Sequence, residues 1–243
     1  MNYVIVGYGK MGRAIDVAAT ARDHSRVALV DRSSRVRGSV RHLADLVIRG
    51  TAVAFEFTEP DAAHAHVVEL LRRNIGVVCG TTGWDAADPE VRRAARRSRA
   101  GAVIAPNFSV GMNLFYAVVQ DAAARYLAVG DYEPWIAEWH HAAKRDTPSG
   151  TAKRLAALLS DGKAREVPIA AVRAGREPGR HVVGFDGPHD AIRLEHAARG
   201  REGFALGAVL AAEWIRGKRG VHGFDEVLED LIRGRGRRRQ GRR

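Results

Sequence analysis

The chain opens with an apolar run, a glycine-rich turn and a helix-like segment, and this order restricts the fold more than any other feature. Residues 3–6 are mostly β-branched, residues 7–12 read Gly-Tyr-Gly-Lys-Met-Gly, and residues 13–22 have helical composition. A Gly-x-Gly-x-x-Gly turn between a strand and a helix lets the backbone approach a pyrophosphate at the helix N-terminus. The pattern alone is weak, but its flanks predict a dinucleotide-binding unit.

A second strand-like run, residues 27–30, strengthens this prediction because it ends in Asp31. Asp31 lies 19 residues after Gly12, close to the roughly 20 residues expected for the acid that binds the adenosine ribose. An ordinary βαβ turn with a surface aspartate is the alternative. The predicted cofactor contacts in this part of the chain are Gly7, Gly9, Lys10, Met11, Gly12, Asp31 and Arg32.

Asp31 and its neighbour Arg32 also bear on the choice between NADH and NADPH. The carboxylate can accept hydrogen bonds from the ribose hydroxyl and should repel a 2′-phosphate, whereas Arg32 can attract that phosphate. The pair therefore predicts use of both cofactors, with NADH modestly preferred.

Strands and helices continue to alternate up to residue 108, which predicts a mainly parallel, Rossmann-like sheet with helical crossovers. Ligands of such sheets bind beyond the carboxyl ends of the strands. The loops that fall on this edge contain Gly7, Asp31, Thr58, Gly80 and Asn107. Cys79 is most simply a buried strand residue, because nothing nearby indicates a reactive thiolate.

The pattern changes after Phe108. Residues 110–127 read as one long helix, and the strand-like runs at 134–140, 169–173, 181–185 and 191–195 follow. The later runs are too close together for helical crossovers, so they predict a second, α+β domain with a mixed or largely antiparallel sheet. Helices are predicted again at 205–216 and 224–232. This organisation assigns 1–108 and 205–232 to the nucleotide domain and 109–204 to the second domain.

The most chemically suggestive stretch of the second domain reads Glu138-Trp-His-His-Ala-Ala-Lys-Arg-Asp-Thr-Pro-Ser-Gly-Thr151. Ser149 is a good N-cap, and Gly150 and Thr151 would then supply backbone N–H groups at a positive helix end that can bind an anion. His140, His141 and Lys144 add proton donors and positive charge. The alternative is a surface histidine pair next to an ordinary helix cap.

Composition excludes several classes of protein. No apolar run approaches the roughly 20 residues of a membrane span, and the start of the chain reads as a strand rather than a signal peptide. The single cysteine excludes an internal disulfide framework, and these features together favour a cytoplasmic protein. The chain has a net charge of +11, and seven of its arginines lie in residues 233–243. This segment has no apolar residues and is predicted to be disordered. No metal site is predicted.

These motifs together resemble the 4-hydroxy-tetrahydrodipicolinate (dihydrodipicolinate) reductase family. The segments that carry the likeness are Gly-Tyr-Gly-Lys-Met-Gly, Cys-Gly-Thr-Thr-Gly, Ala-Pro-Asn-Phe-Ser-Val-Gly, Val-Gly-Phe-Asp and the stretch that begins at Glu138. The His-His-x-x-Lys and Pro-Ser-Gly-Thr block is the specific part. Thr147 stands where the family usually has alanine, Glu56 stands where it has aspartate, and the arginine-rich tail departs from the pattern.

The resemblance implies an NADH- or NADPH-dependent reductase of the diaminopimelate route to lysine, acting on a small dicarboxylate and typically forming a homotetramer through the second domain. It implies proton transfer by His140 and Lys144, and substrate binding by His141, Gly150 and Thr151. The further cofactor contacts that it implies are Gly80, Thr81, Thr82, Ala105, Pro106, Asn107 and Phe108.

Two other functions remain open at this point. Another two-domain reductase, such as an aspartate dehydrogenase, would share the glycine turn but has no reason to keep His-His-x-x-Lys with Pro-Ser-Gly-Thr. A nucleic-acid-binding protein could use the arginine tail, and salt-sensitive RNA binding that is lost with the tail would favour it.

Overall fold

The computed structural model describes residues 1–33, 36–160 and 166–240, with the backbone alone for 235–240. Two compact units divide the chain. The first contains residues 1–110 and 201–243, and the second contains residues 111–200. The boundaries expected from the sequence were 108 and 205.

The first unit is built on a parallel sheet of six strands in the order β10-β5-β4-β3-β1-β2. The strands are β1 (Asn2–Val6), β2 (Ser25–Val30), β3 (Val53–Glu56), β4 (Gly76–Cys79), β5 (Gly101–Ile104) and β10 (Gly220–His222). The helices are α1 (Lys10–Thr20), α2 (Pro60–Arg72), α3 (Pro89–Arg97), α6 (Glu202–Ile215) and α7 (Phe224–Gln240), with a 3-10 turn at Leu43–Asp45. The parallel, Rossmann-like sheet predicted from the alternation is confirmed.

Strand β1 shows why its sequence is apolar throughout. Tyr3 and Ile5 belong to one buried cluster, in which Ile15 of α1 also lies. Val4 and Val6 point the other way, into a second cluster with Val67 of α2. A strand covered on both faces needs a continuous apolar run rather than an alternating one. The order of the strands reverses between β1 and β3, and that is the position where open α/β sheets bind ligands.

The second unit holds a mixed sheet of four strands in the order β7-β6-β8-β9. The strands are β6 (Glu133–His140), β7 (Ile169–Arg173), β8 (Arg180–Asp186) and β9 (Ala191–Ala197), and the helices are α4 (Val110–Val129) and α5 (Gly150–Ser160). Strand β6 pairs with β7 in parallel and with β8 antiparallel, and β8 pairs with β9 antiparallel. The predicted mixed sheet is therefore confirmed. Ile136 and Val183 of the sheet and Leu155 of α5 form its core.

Two elements near the C-terminus differ from the sequence prediction. Strand β10 is only three residues long, too short to produce a recognisable pattern, and it was missed. Helix α7 was expected to end at Ile232 but continues to Gln240, through part of the tail predicted to be disordered. Arginine is a good helix former, so charge alone does not end a helix. Residues 241–243 of the predicted tail lie outside the described residues.

Among the helices of the described residues, none is both long and apolar enough to cross a membrane.

Candidate functional site

The glycine turn of the first unit depends on the absence of side chains at two positions. Gly7 has a φ of +94°, and a Cβ there would lie 2.3 Å from the backbone oxygen of Phe57. A Cβ on Gly12 would lie 2.1 Å from the backbone oxygen of Gly7, so Gly12 allows α1 to start close to the end of β1. Around Gly9, by contrast, a Cβ would meet no atom within 4 Å. These are the geometric roles that a pyrophosphate-binding turn requires.

Helix α1 begins at this turn in a form suited to an anion. Its N-cap residue, Gly9, makes no side-chain cap, and its first turn holds no acidic residue. The first turn of the helix therefore carries no acidic side chain that would compete with a bound phosphate. Lys10 is exposed at the first helical position, whereas Met11 packs against the core.

Asp31 connects the loop after β2 to the glycine turn. Its Oδ2 accepts a hydrogen bond from the Tyr8 backbone N–H at 2.6 Å. Its Oδ1 accepts from the backbone N–H and the hydroxyl of Ser33 at 2.8 and 2.9 Å. Arg32 extends instead toward Glu59, at 3.2 Å, and both of these side chains are about three-quarters exposed (76% and 73%).

A cavity of about 500 Å³ lies at the carboxyl ends of β1, β2 and β3. It therefore sits at the reversal of the strand order, where ligands of this sheet type bind. The lining residues predicted from the sequence are Gly7, Gly9, Asp31 and Arg32, and the lining also includes Arg41, His42, Phe57, Thr58 and His66.

Glu56, the last residue of β3, holds the next two loops of this edge together. Its carboxylate is fully buried and accepts from Thr81 Oγ1 at 2.7 Å, from Cys79 Sγ at 3.2 Å and from the Thr58 hydroxyl. His66 Nδ1 lies 3.2 Å away. Burial acts to raise the pKa of Glu56, but the hydrogen bonds from His66, Thr58 and Thr81 outweigh it and lower the pKa.

The hydroxyl of Thr81, a predicted cofactor contact, is therefore engaged in hydrogen bonds within the protein. The hydroxyl donates to Glu56 and accepts from the Thr58 backbone N–H at 2.9 Å. Thr82, the next residue, is exposed. Cys79 is buried as predicted; burial and the charge of Glu56 raise the pKa of its thiol.

Phe57 joins the remaining loops. A Cβ on Gly80 would lie 2.1 Å from its ring, and the ring of Phe108 is centred 6.0 Å from it. Phe108 is 2% exposed and packs edge-on against Phe224, so its side chain belongs to the core. Phe108 would thus contact a cofactor through its backbone rather than its side chain. Ala105 is buried, Pro106 is exposed, and Asn107 Oδ1 accepts the Ser109 backbone N–H at 2.8 Å.

In the second unit, Glu138 and His140 lie two residues apart on β6 and therefore on one face of the strand. Glu138 is fully buried. Its Oε1 accepts from Arg173 at 2.7 Å and from the Ser149 backbone N–H at 2.9 Å. Its Oε2 accepts from the Ser149 hydroxyl and lies 3.3 Å from His181 Nε2 and 3.5 Å from His140 Nδ1.

Ser149 caps α5 as predicted, since its hydroxyl oxygen accepts the Ala152 backbone N–H at 3.1 Å. The first helical residue, Gly150, is exposed, and a Cβ there would meet no atom within 4 Å. Thr151 is half-buried. The space beside Gly150 is therefore open, while its backbone N–H helps to lower the pKa of the Asp146 carboxyl, so an anionic group is already held at this helix end.

The loop between β6 and α5 carries the other two predicted residues. His141 is half-buried immediately after the end of β6. Its carbonyl accepts the Lys144 backbone N–H at 3.0 Å. The Lys144 ammonium pairs with Asp146 at 2.7 Å, with one quarter of its side chain exposed (25%).

The protonation states of this cluster are set mainly by burial. Burial lowers the pKa of His140, and the charge of Glu138 opposes this only in part. Burial and the neighbouring His140 lower the pKa of His181 to about 4. Burial acts to raise the pKa of Glu138, but Ser149 and Arg173 outweigh it and lower the pKa. At neutral pH the cluster is thus a carboxylate, an Arg173 cation and two neutral imidazoles.

Several of these residues had no predicted role: Glu56, His66, Glu138, Arg173 and His181. A usable signal was present for Glu138 and His140, because two polar residues two apart in an otherwise apolar strand share a face. Arg173 and His181 lie on β7 and β8, and their separation along the sequence hid their contact with Glu138.

Comparison with known proteins assigns both parts of the chain to one family. Residues 1–108 match the family model for the dihydrodipicolinate reductase N-terminus, and residues 111–228 match that for the C-terminus. A curated 4-hydroxy-tetrahydrodipicolinate reductase from Christiangramia forsetii is 35% identical over 245 residues, covering 96% of this chain and 100% of the relative. One from Methanosarcina barkeri is 35% identical over 236 residues, covering 88% of each.

A solved structure agrees in fold. The dipicolinate-bound dihydrodipicolinate reductase from Paenisporosarcina sp. TG-14 superposes with a TM-score of 0.72 at 21% identity, covering 92% of this chain and 97% of that chain. With its two halves matched by the two family models and its curated relatives matched over most of their length, the chain belongs to the dihydrodipicolinate reductase family.

Proposed function

We propose that this chain catalyses the NADH- or NADPH-dependent reduction of 4-hydroxy-tetrahydrodipicolinate to tetrahydrodipicolinate, with loss of water, in the diaminopimelate route to lysine. Its membership of the family supports this proposal, as do the curated relatives of that name. The class of the reaction follows from the family.

The observation that carries the proposal is the position of Glu138. One buried carboxylate contacts both the Ser149 N-cap, at 2.9 Å, and the ring of His140, at 3.5 Å. A candidate proton donor and a candidate anion-binding helix end are therefore held by the same group. A substrate with two carboxylates and a ring that must be protonated needs both features.

The chemistry assigns a task to each side chain. Loss of the 4-hydroxyl as water leaves a conjugated ring, hydride from the nicotinamide adds to that ring, and the electron density that remains takes up a proton. His140 and Lys144 act on the reacting ring as proton donors. His141 and the backbone N–H groups of Gly150 and Thr151 bind the carboxylates. The negative charge of the substrate would raise the pKa of His140, so its protonated form becomes available on binding.

The first unit binds the cofactor in this proposal. The turn from Gly7 to Gly12, including Lys10 and Met11, would hold the pyrophosphate, and Asp31 and Arg32 would hold the adenosine ribose. Gly80, Thr81, Thr82 and residues 105–108, in the loops of the same sheet edge, would hold the nicotinamide half. Because Asp31 is close to the turn and Arg32 is engaged by Glu59, we expect NADH to be modestly preferred over NADPH.

The second unit binds the substrate and joins the subunits of a homotetramer in this proposal. The residues on one face of its sheet are an argument for this assembly. Trp135, Ala137 and Trp139 alternate with the core residues of β6, and they pair with Gly184, Val182 and Arg180 of β8. Helices cover the opposite face of the sheet, which holds Ile136. Within residues 111–160 and 166–200 these helices are α4 and α5, and their buried residues cluster with Ile136. A second copy could cover this apolar face. We place the enzyme in the cytoplasm, where the family's pathway operates.

The test is oxidation of NADH or NADPH by the purified chain when its substrate is produced in situ by dihydrodipicolinate synthase from pyruvate and aspartate semialdehyde. We expect oxidation only with the synthase present and a strong loss in the His140→Ala variant. No oxidation with the coupled system would overturn the proposal. Oxidation with oxaloacetate and ammonia in its place would favour an aspartate dehydrogenase.

A further inference from the structure

The buried face that carries His140 has the composition of a transition-metal site. Glu138, His140 and His181 each present one ligand atom, and the three atoms lie within 4.8 Å of one another. All three side chains are less than one-tenth exposed (0%, 9% and 6%). Within the described residues, His140 Nδ1 is buried with no hydrogen-bond partner. A buried polar atom without a partner costs free energy, which a bound ion would recover.

The distances fit a tetrahedral ion. Metal–ligand bonds of about 2.0–2.1 Å place the ligand atoms of a tetrahedral Zn²⁺ site roughly 3.3 Å apart. Glu138 Oε2 already lies 3.3 Å from His181 Nε2 and 3.5 Å from His140 Nδ1. The third edge, between the two imidazoles, is no longer than 4.8 Å, and the rings must rotate to bring it to about 3.3 Å. Water is left to supply the fourth ligand, as in open zinc sites.

The two oxygens of Glu138 differ in their contacts, and Oε2 is the one that lies toward both imidazoles. Oε1 accepts hydrogen bonds from Arg173 at 2.7 Å and from the Ser149 backbone N–H at 2.9 Å. Such hydrogen bonds orient a carboxylate that binds a metal. Oε2 faces the two imidazoles and accepts the Ser149 hydroxyl, whose oxygen also lies 3.4 Å from His181 Nε2, so a bound ion would displace this hydroxyl. The Arg173 cation also repels a nearby ion, so the site suits reversible binding rather than a permanent structural metal.

We propose that Glu138 Oε2, His140 Nδ1 and His181 Nε2 form a reversible Zn²⁺ site, and that the bound ion inhibits the enzyme by holding His140. The inhibition rests on the proposed function, whereas binding of the ion does not. Two imidazoles and one carboxylate select Zn²⁺ over Mg²⁺ and Ca²⁺, which prefer oxygen ligands.

Direct binding is measured on the full-length chain without substrate, after treatment with EDTA and desalting. Calorimetric titration with ZnCl₂ should give one ion per chain, and MgCl₂ should give no binding. His181→Gln should weaken Zn²⁺ binding by about tenfold or more, because it removes a ligand. His64→Gln is the matched control, since His64 is a half-buried histidine on α2 of the first unit, and its binding should equal that of the wild type. Equal affinity in His181→Gln would overturn the site.

Co²⁺ gives a readout that does not depend on any variant folding. The wild-type chain with one equivalent of Co²⁺ should show the strong visible absorption of a four-coordinate ion, and Zn²⁺ should abolish it. Weak, octahedral-type absorption would overturn the site. The site would also be overturned if the bound Zn²⁺ proved to be held only by surface histidines.

Inhibition is then measured separately. Zn²⁺ should lower turnover in the coupled assay at fixed substrate, EDTA should restore it, and His64→Gln should behave as the wild type. Pyridine-2,6-dicarboxylate must be left out because it chelates zinc. If Zn²⁺ binds at this cluster but the chain reduces no dihydrodipicolinate precursor, the proposed function fails while the site stands. Turnover that is unaffected by a bound ion would instead overturn the inhibitory role.

Discussion

The neighbouring residues His140 and His141 differ in burial and in position. His140 is the last residue of β6 and only 7% exposed, whereas His141 is half-buried in the loop. We predict that His140→Ala lowers turnover by about 10²–10⁴-fold, the usual loss when a positioned proton donor is removed. His141→Ala should raise KM more than it lowers turnover, because it removes a carboxylate contact. Steady-state kinetics measure both effects, with cofactor binding as the control. Near-normal turnover of His140→Ala would show that the proton comes from elsewhere.

Asp31 is the residue on which cofactor preference depends. We predict that Asp31→Ala raises the ratio of kcat/KM for NADPH to that for NADH, because a negative charge that repels the 2′-phosphate is removed. The same carboxylate accepts the Tyr8 backbone N–H at 2.6 Å, so the alanine variant also loosens the turn. Asp31→Asn separates the two effects, since its amide oxygen can keep that hydrogen bond. If neither variant changes the ratio, Asp31 does not face the adenosine ribose.

At the scale of elements, Glu138 connects β6 to three neighbours. It contacts Ser149 at the start of α5, Arg173 on β7 and His181 on β8. We predict that Glu138→Ala lowers the free energy of unfolding by about 3–5 kcal/mol, because it leaves Arg173 largely buried without its partner. Urea denaturation measures the change. Glu195→Ala, at an exposed position of β9, should change it by no more than about 0.5 kcal/mol, and a similarly small change in Glu138→Ala would show that the network adds little stability.

Glu56 makes the first unit sensitive to acid. The pKa of its carboxyl is lowered from the ordinary value of 4.5 in the folded protein. The stability that this shift contributes is therefore present above pH 4.5 and is lost as the pH falls toward the lowered pKa. We predict that the free energy of unfolding of Glu56→Gln falls less steeply over that acidic window than that of the wild type. Glu59→Gln, at an exposed position, should follow the wild-type curve, and parallel curves for all three proteins would contradict this role of Glu56.

The elements themselves could largely be predicted from the sequence, because each depends on a local pattern. The turn at Gly7 and the acid at Asp31 could be read in the same way. The buried networks could not, because Glu56 meets Thr81 and Glu138 meets His181 only after the strands have paired. A polar residue in a strand indicates that a partner exists, but it does not identify that partner. For the same reason, the sequence did not reveal that the hydroxyl of Thr81 is already engaged.

At the scale of the whole molecule, the apolar face of the second sheet bears on assembly. Ala137 lies at its centre, opposite Val182, and these residues are 8% and 7% exposed. Val172 of β7, beside Trp139 on the same face, is instead 39% exposed. In a single chain, an arginine at position 172 can extend away from the sheet and keep its charge in water. In an assembly that packs this face against a second copy, the charge would be buried without a partner, which costs several kcal/mol. Val172→Arg should therefore weaken association far more than folding.

We predict that light scattering gives the wild type a mass four times that of the 26.5 kDa chain and gives Val172→Arg a smaller particle with an unchanged circular dichroism spectrum. Val47→Arg is the matched control, because Val47 is 82% exposed and lies in the first unit, and it should keep the wild-type mass. A tetramer in both variants would mean that the subunits associate through another surface. A monomeric wild type would contradict the proposed assembly itself, and the face around Trp135 and Trp139 would then be open to solvent in the active enzyme.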